Sequence, residues 1–352
     1  MSETPFVHLH LHTQYSLLQS LIKSGPLVER VAELGMGAVA ITDQTNMYGA
    51  VEFQAVARGA GVKPVFGAEV YLSPYGRTVR QGKRRDNFHL QLLIQDEIGY
   101  RNLCVLLTRG YFEGFYHVPR IDHELLSEHC DGLIAISSSM RGEVSALVQR
   151  GQRDEALDAA RYLARTFGEG RAYLELQDLG WEGQRACNAG VREVAAEIGV
   201  PLVASNHAHY LRQGDAHPHE ALLCLGGQQT LGDVGRFRFP SDQFYLKSPE
   251  QMWALFPDDP EALTATVDIA ERCQFAFADN PRYHFPVRPG TEGQDPSVEL
   301  ARIAGEGLEA RLVTVRQRLG DKEFAEAEPV YRARLEEELG IIDGMGFSSY
   351  FL

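Results

Sequence analysis

The chain has 352 residues, 44% of them hydrophobic and 23% charged, with a formal net charge of −14. This suits one large domain plus a smaller piece, and it argues against a surface that grips nucleic acid by its own charge, because neutralising phosphates takes an excess of lysine and arginine. No apolar run reaches about 18 residues, so no transmembrane helix and no membrane partner are expected; the opening MSETPF has neither region of a signal peptide, and five scattered cysteines without a CxxC pair fit a reducing cytoplasm better than a disulfide framework.

The first predicted element is a strand over residues 6–11, running through His8-Leu9-His10-Leu11-His12. Strand alternation places three imidazoles on one face and Leu9 and Leu11 on the other. Imidazoles in register suit a shared metal, and the alternative is a polar seam inside a barrel. A helix over 26–34 closes at Gly35, and an apolar strand over 37–42 leads into Asp43. Asp43 neighbours the ligands or caps the next helix, 47–60; the T-D-x-x-N pattern favours the cap. Glu69 lies on a strand over 64–71, and His89 opens a strand over 88–95 followed by a helix over 98–109. Between them Arg77, Arg80, Lys83, Arg84 and Arg85 form a basic loop, read as solvated rather than phosphate-binding. His117, His123 and His129 fall in an irregular connection and receive no role, while Arg120 and Asp122 read as a structural pair.

A strand over 132–137 runs into Ser138 and Ser139. Helices follow over 142–150 and 153–166, then a strand over 172–177, a helix over 182–198 and a strand over 201–205 ending at Asn206-His207-Ala208-His209. Short apolar strands alternating with amphipathic helices predict βα units, a parallel sheet and, with seven strands, barrel-like closure. In such folds chemistry gathers at the carboxyl ends of the strands, where His10, His12, Asp43, Glu69, His89, Ser139, His207 and His209 would converge. Beyond Tyr210 the pattern changes. A helix over 215–225 carries His217 and His219, both read as surface residues, and helices are expected over 249–255 and 260–273. A proline- and glycine-rich stretch reads as a linker, followed by a helix over 298–312, a charged stretch and a helix over 330–345. The apolar ending GMGFSSYFL reads as a break within a domain.

The blocks FVHLHLHTQYSLL, GAVAITDQTNMYGAVEF, GVKPVFGAEVYL, HLQLLIQDEIGYRNL, GLIAISSSMRGEV, PLVASNHAHYL and GMGFSSYFL, in this order from residue 6 to the last, resemble the N-terminal part of the bacterial replicative DNA polymerase III alpha family. The resemblance implies an α/β fold: a distorted seven-stranded (β/α) barrel of the polymerase and histidinol phosphatase (PHP) type over 1–280, a linker over 281–295, and the mainly helical beginning of a polymerase palm over 296–352. Active PHP domains of the family bind up to three divalent ions (zinc, manganese, iron or magnesium), and some are thought to act as proofreading 3′–5′ exonucleases. Matched motif by motif, His10, His12, Glu69, His89 and His209 fall on ligand positions, and His207 stands where an aspartate is usual. Gln19, Gln44 and Ser139 occupy positions where the family commonly has aspartate, histidine, and cysteine or histidine. Glutamine and serine are poor ligands, so the resemblance implies a partly degraded, mainly structural site holding zinc or manganese at reduced occupancy. Residues 286–352 contain no D-x-D pair for the magnesium ions of nucleotidyl transfer, so the polymerase aspartates are expected elsewhere in the parent. DNA, deoxynucleotides, a proofreading exonuclease subunit and other replicase subunits are the implied partners. The alternatives are an active metal-dependent exonuclease or phosphoesterase, and a free-standing PHP phosphatase.

Overall fold

A computed structural model describes residues 4–138, 140–278 and 285–352. The chain divides into two compact units, one up to Phe277 and one from Ala278 to Leu352.

In the first unit a seven-stranded mixed sheet curls into a half-barrel. Its strands are β1 (Ala38–Gln44), β2 (Lys63–Leu72), β3 (Phe88–Ile94), the short β4 (Arg120–Ile121), β5 (Leu133–Ser137), β6 (Ala172–Gln177) and β7 (Leu202–Ser205), in the order β1-β2-β3-β5-β6-β7 with β4 on β2. The helices are α1 (Ser24–Glu33), α2 (Ala50–Gly59), α3 (Glu97–Phe112), α4 (His123–Glu128), α5 (Glu143–Gln149), α6 (Arg153–Phe167), α7 (Glu182–Ile198), α8 (Ala216–Gly227), α9 (Pro249–Leu255) and α10 (Pro260–Arg272). The sheet is not all parallel: β3 runs antiparallel to both β2 and β5. This orientation matters, because it brings His89, at the start of β3, to the end of the sheet where β2 and β6 carry Glu69 and Glu175.

Residues 6–11 form no regular strand. They lie extended across the open side of the curl: Ala40 N–H donates to His8 O and Thr42 N–H to Leu11 O on the β1 side, while His12 N–H reaches Ala208 O and Ala208 N–H reaches His10 O beyond β7. Alternation breaks between Leu9 and His10. Val7 and Leu9 join the cluster inside the curl with Val65, Leu93, Ile134, Ile136 and Val203, closed below by Ile269 of α10. Phe6 and Leu11 join the larger core between sheet and helices. Above the inner apolar layer the same face turns polar with Glu69, Gln91, Glu175, Gln177 and Ser205, all buried. The curl is thus plugged at one end and polar at the other.

The second unit holds α11 (Pro296–Leu319), α12 (Asp321–Gly344) and α13 (Ser348–Phe351). Asp295 caps α11 through Ser297 N–H, with Pro296 in the first turn. The charged stretch expected to separate two shorter helices is itself helical. Arg302 pairs with Glu299 and Glu306, Arg332 with Glu328, and Arg334 with Glu337 at helical spacing, which supports the two helices on either side of that stretch. The interruption is at Gly320, with φ +80°.

The first turn of α3 packs backbone to backbone on the loop before β5. Asp96 caps α3 by accepting from Gly99 N–H, and a methyl group on Gly99 would fall 1.8 Å from Gly132 O. Neither side of that contact is a side chain that can rotate away, so Gly99→Ala should cost roughly 2–3 kcal/mol. Urea denaturation checks this; an unchanged midpoint would mean the approach relaxes freely.

Candidate metal centre

His10, His12, Glu69 and His207 each offer a ligand atom, and these atoms all lie within 4.8 Å of one another. His89 Nδ1 lies 3.1 Å from Glu69 Oε1, and His209 Nε2 lies 3.0 Å from His207 Nε2. All six residues identified by motif therefore converge. His8 does not: after the break at Leu9-His10 it faces away, and its Nε2–H donates to Lys247 O. Burial holds His8 neutral, pushing its pKa down to about 4.

Hydrogen bonds at Nδ1 set the tautomers of two imidazoles, His12 and His209. Ser16 donates its hydroxyl proton to Asp43 Oδ1, so it accepts from His12 Nδ1–H at 2.9 Å. His209 Nδ1–H donates to Gln19 O at 2.7 Å, and His10 Nδ1 lies 2.9 Å from the Glu175 carboxylate. His12 and His209 thereby keep an Nε2 lone pair for the centre, the arrangement by which outer groups orient metal-binding histidines, while His10 Nδ1 also lies 2.8 and 3.1 Å from the Gln91 and Gln177 amides. His12 Nε2 and His209 Nε2 both lie 3.0 Å from His207 Nε2, and one proton there serves only one of them. His10 Nε2 and both ring nitrogens of His89 are buried without a hydrogen bond, although Glu69 Oε1 lies 3.1 and 3.5 Å from two of them. Close nitrogen and carboxylate atoms that do not satisfy one another as donor and acceptor are what a ligand set for a cation presents, and imidazole with carboxylate suits zinc or manganese. The residues present fit such an ion.

Burial by itself raises a carboxylate pKa, but the charges of His89 and His10 beside it hold Glu69 well below the usual range. Burial lowers imidazole pKa values. It keeps His207 and His209 well below theirs and brings His12 to about 3, the neighbouring histidines adding repulsion. His10 goes the other way, to about 9, because Glu175 and Glu69 outweigh its burial.

The three positions with poor ligands behave differently from one another. Gln19 serves through its backbone: its carbonyl accepts from His209 and from His219 Nε2 at 2.7 Å. His219 is therefore buried, correcting its reading as a surface residue, while His217 is exposed. Gln44 donates its side-chain amide to Glu69 O. Ser139 lies outside the described residues; next to it, Ser138 donates to Glu69 Oε1 at 2.9 Å. Asp43 caps no helix, and α2 starts at Ala50 behind Gly49, which offers no side-chain cap. Its carboxylate instead accepts from Thr13 N–H, Thr13 Oγ1 and Ser16 Oγ, fixing the turn after His12. Arg120 pairs not with Asp122 but with the carbonyls of Gly114, Arg77 and Val79, and Asp122 binds Arg77.

Motif reading missed Glu175. It accepts from Gln91, Gln177 and Ser205 as well as His10. The available signal was a glutamate at an alternate position of the otherwise apolar strand AYLELQ, on the same face as Gln177. His207 has φ +44°, a left-handed conformation that suits asparagine or aspartate better than a ring side chain.

This ring of histidines and a carboxylate at the polar end of a curled α/β sheet belongs to a PHP domain, and residues 8–179 match the PHP domain family. Among curated proteins, the DNA polymerase III subunit alpha of Treponema pallidum is 36% identical over 358 residues, spanning 100% of this chain and 29% of its own length. That of Deinococcus radiodurans is 40% identical over 309 residues, or 84% of this chain and 23% of its own. The chain carries a PHP domain homologous to the N-terminal region of DNA polymerase III alpha subunits. It spans less than a third of the length of these relatives. Among solved structures, a putative metal-dependent phosphoesterase from Bifidobacterium adolescentis covers 72% of this chain and 97% of its own at 14% identity and a TM-score of 0.41, too loose a likeness to carry an argument.

Replacing Glu175 by glutamine keeps the shape but removes the charge that holds His10 Nδ1–H. Metal affinity, read by competition with a chromogenic chelator, should fall roughly 10- to 100-fold. An affinity equal to wild type would show that Glu175 only fills space.

Proposed function

We propose that this chain is the N-terminal region of a replicative DNA polymerase III alpha subunit. Residues 1–280 would be its PHP domain, 281–295 a linker, of which 281–284 lie outside the described residues, and 296–352 the start of the palm. The PHP domain mainly supports the polymerase and holds one divalent ion, zinc or manganese, through His10, His12, Glu69 and His207 with His89 and His209 alongside. The observation behind this reading is the set of Nε2 lone pairs aimed at one centre in a chain whose relatives are polymerase subunits. DNA synthesis itself, with its magnesium-binding aspartates, is assigned to other parts of the parent. DNA, deoxynucleotides, a proofreading exonuclease subunit and the other replicase subunits are the proposed partners, in the cytoplasm.

A second reading is a metal-dependent 3′–5′ exonuclease or phosphoesterase. The unsatisfied nitrogens of His89 favour it, since they extend the donor set beyond one ion. A divalent ion supplies Lewis-acid chemistry for phosphoester hydrolysis. The chain's own residues would orient the ligands, through Glu175, Ser16 and the Gln19 carbonyl, and hold the turn after His12 through Asp43. Gln44 and the neutral His207 leave few negative charges to offset several ions, which supports the structural role as the main one.

Elemental analysis of chelator-free protein should find about one equivalent of zinc or manganese, lost in the His10→Ala, His12→Ala double variant. Less than about 0.2 equivalents in the wild type would make the cluster a hydrogen-bonded seam. His207→Asp adds a carboxylate at a backbone conformation aspartate tolerates, so it should raise the metal content to about two equivalents and bring measurable hydrolysis of a chromogenic phosphodiester. Unchanged content would mean that the missing charge is not what limits the site.

A further inference from the structure

A cavity of about 190 Å³ beside the centre is lined by Arg85, Asn87, Phe88, Met140, Arg141, Ala146, Gln149 and Arg150. Three of these are arginines in a chain whose acidic residues outnumber its basic ones, 48 to 34. Several arginines elsewhere are neutralised: Arg77, Arg109, Arg153, Arg192 and Arg302 all have carboxylates in contact. Among the described residues Arg85, Arg141 and Arg150 have none. Arg150 rests over the Phe88 ring, its guanidinium 5.9 Å from the ring centre, and the other two are solvent-exposed. Like charges gathered without counter-charge repel, and the chain gains nothing internal from holding them together.

The cluster continues toward the candidate centre. Arg84 donates to the Tyr71 hydroxyl at 2.9 Å, and Tyr71 feels the charge of both Arg84 and Arg141. The Tyr71 ring packs edge-on against His89, 4.7 Å between centres. His89 N–H in turn donates to Arg141 O. The wall of the cavity and the His89 end of the centre are therefore the same pieces of backbone, β3 and the turn after β5. The cavity is smaller than the ~300 Å³ at which drug-sized ligand pockets begin. Its size suits one phosphodiester group with its waters, and guanidinium forks match phosphate oxygens two at a time.

We propose that Arg85, Arg141 and Arg150, with Arg84 alongside, form a cradle for the backbone phosphates of a single polynucleotide strand passing the mouth of the PHP domain. The choice of a polynucleotide over other anions rests on the reading of the chain as part of a DNA polymerase; the cradle itself rests on the arginines. Binding is by phosphate contact and carries no base preference. The acidic total charge does not oppose this, because the contact is local and screened beyond about 8 Å at physiological salt.

The test uses the 352-residue chain and a fluorescent single-stranded DNA of about 12 nucleotides, followed by anisotropy across a salt series. Removing three phosphate contacts by R85A/R141A/R150A should weaken binding at least tenfold and lower the salt slope by about two. R85K/R141K/R150K, which keeps the charge, should stay within about threefold of wild type. R311A/R318A, which removes exposed charge from α11, should leave binding unchanged. Equal binding by the triple alanine variant and wild type overturns the proposal, as does an equal loss in the α11 control. Inorganic phosphate that displaces the DNA at concentrations matching the DNA's own Kd also overturns it, by showing a site for one free anion. Metal content is read on the same samples. Normal metal with lost DNA binding supports the cradle, whereas absent metal with intact binding removes the metal reading and leaves the cradle standing.

Discussion

The mouth of the PHP domain depends on how residues 8–12 are held. They take hydrogen bonds from β1 on one side and exchange them with Ala208 on the other, so they tie together the two ends of the curled sheet. A regular strand in that position would keep strict alternation and send His8 to the same side as His10 and His12. The break after Leu9 lets two adjacent side chains face inward, Leu9 into the apolar plug and His10 into the polar layer above it. The same constraint delivers His207 and His209, because the Ala208 that bonds to the segment lies between them.

The electrostatics follow from this placement. Six ligand candidates and Glu175 are packed together, and the protonation of His10, His12, Glu69, His207 and His209 is set by burial and by neighbours rather than by bulk solvent. Carboxylates lie behind and between the histidines: Glu175 outside His10, Glu69 among His10, His12 and His89. Neutral imidazoles with their Nδ1 protons committed to Ser16 and to a backbone carbonyl have no other use for Nε2. A polar seam of the ordinary kind pairs donors with acceptors, and here nitrogen faces nitrogen. The arginine cluster on the other side of Tyr71 completes a gradient from anionic interior to cationic rim.

Much of this was legible in the chain. The HxH alternation, the glutamate of the third strand, His89 and the second HxH after an apolar run each lie in short, strongly patterned segments, and all six residues met as expected. The departures have local physical causes. Asp43 looked like a helix cap because its spacing fits one, but the turn at residues 13–16 offers it three donors, more than a helix start provides. His219 sits near a helix start with no apolar periodicity to mark it as buried; the Gln19 carbonyl, distant in sequence, draws it inward. The charged segment before residue 330 has no apolar repeat to mark it, and it continues the helices on either side up to the break at Gly320. The short β4 and helix α4 carry too few residues for a periodicity to register.

Residue types and their order by themselves determined which side chains are the ligand candidates and which short segments carry them, because ligand atoms and local alternation are properties of a few neighbouring residues. Tertiary structure alone decided that β3 runs against its neighbours, which is why a histidine at a strand's beginning reaches residues at other strands' ends. It decided that Glu175 stands behind His10, a pairing across more than 160 residues with no shared motif. It also gathered Arg85, Arg141 and Arg150 into one cavity of an acidic protein, since net charge is a sum over the chain and a binding surface depends only on which charges the fold leaves side by side.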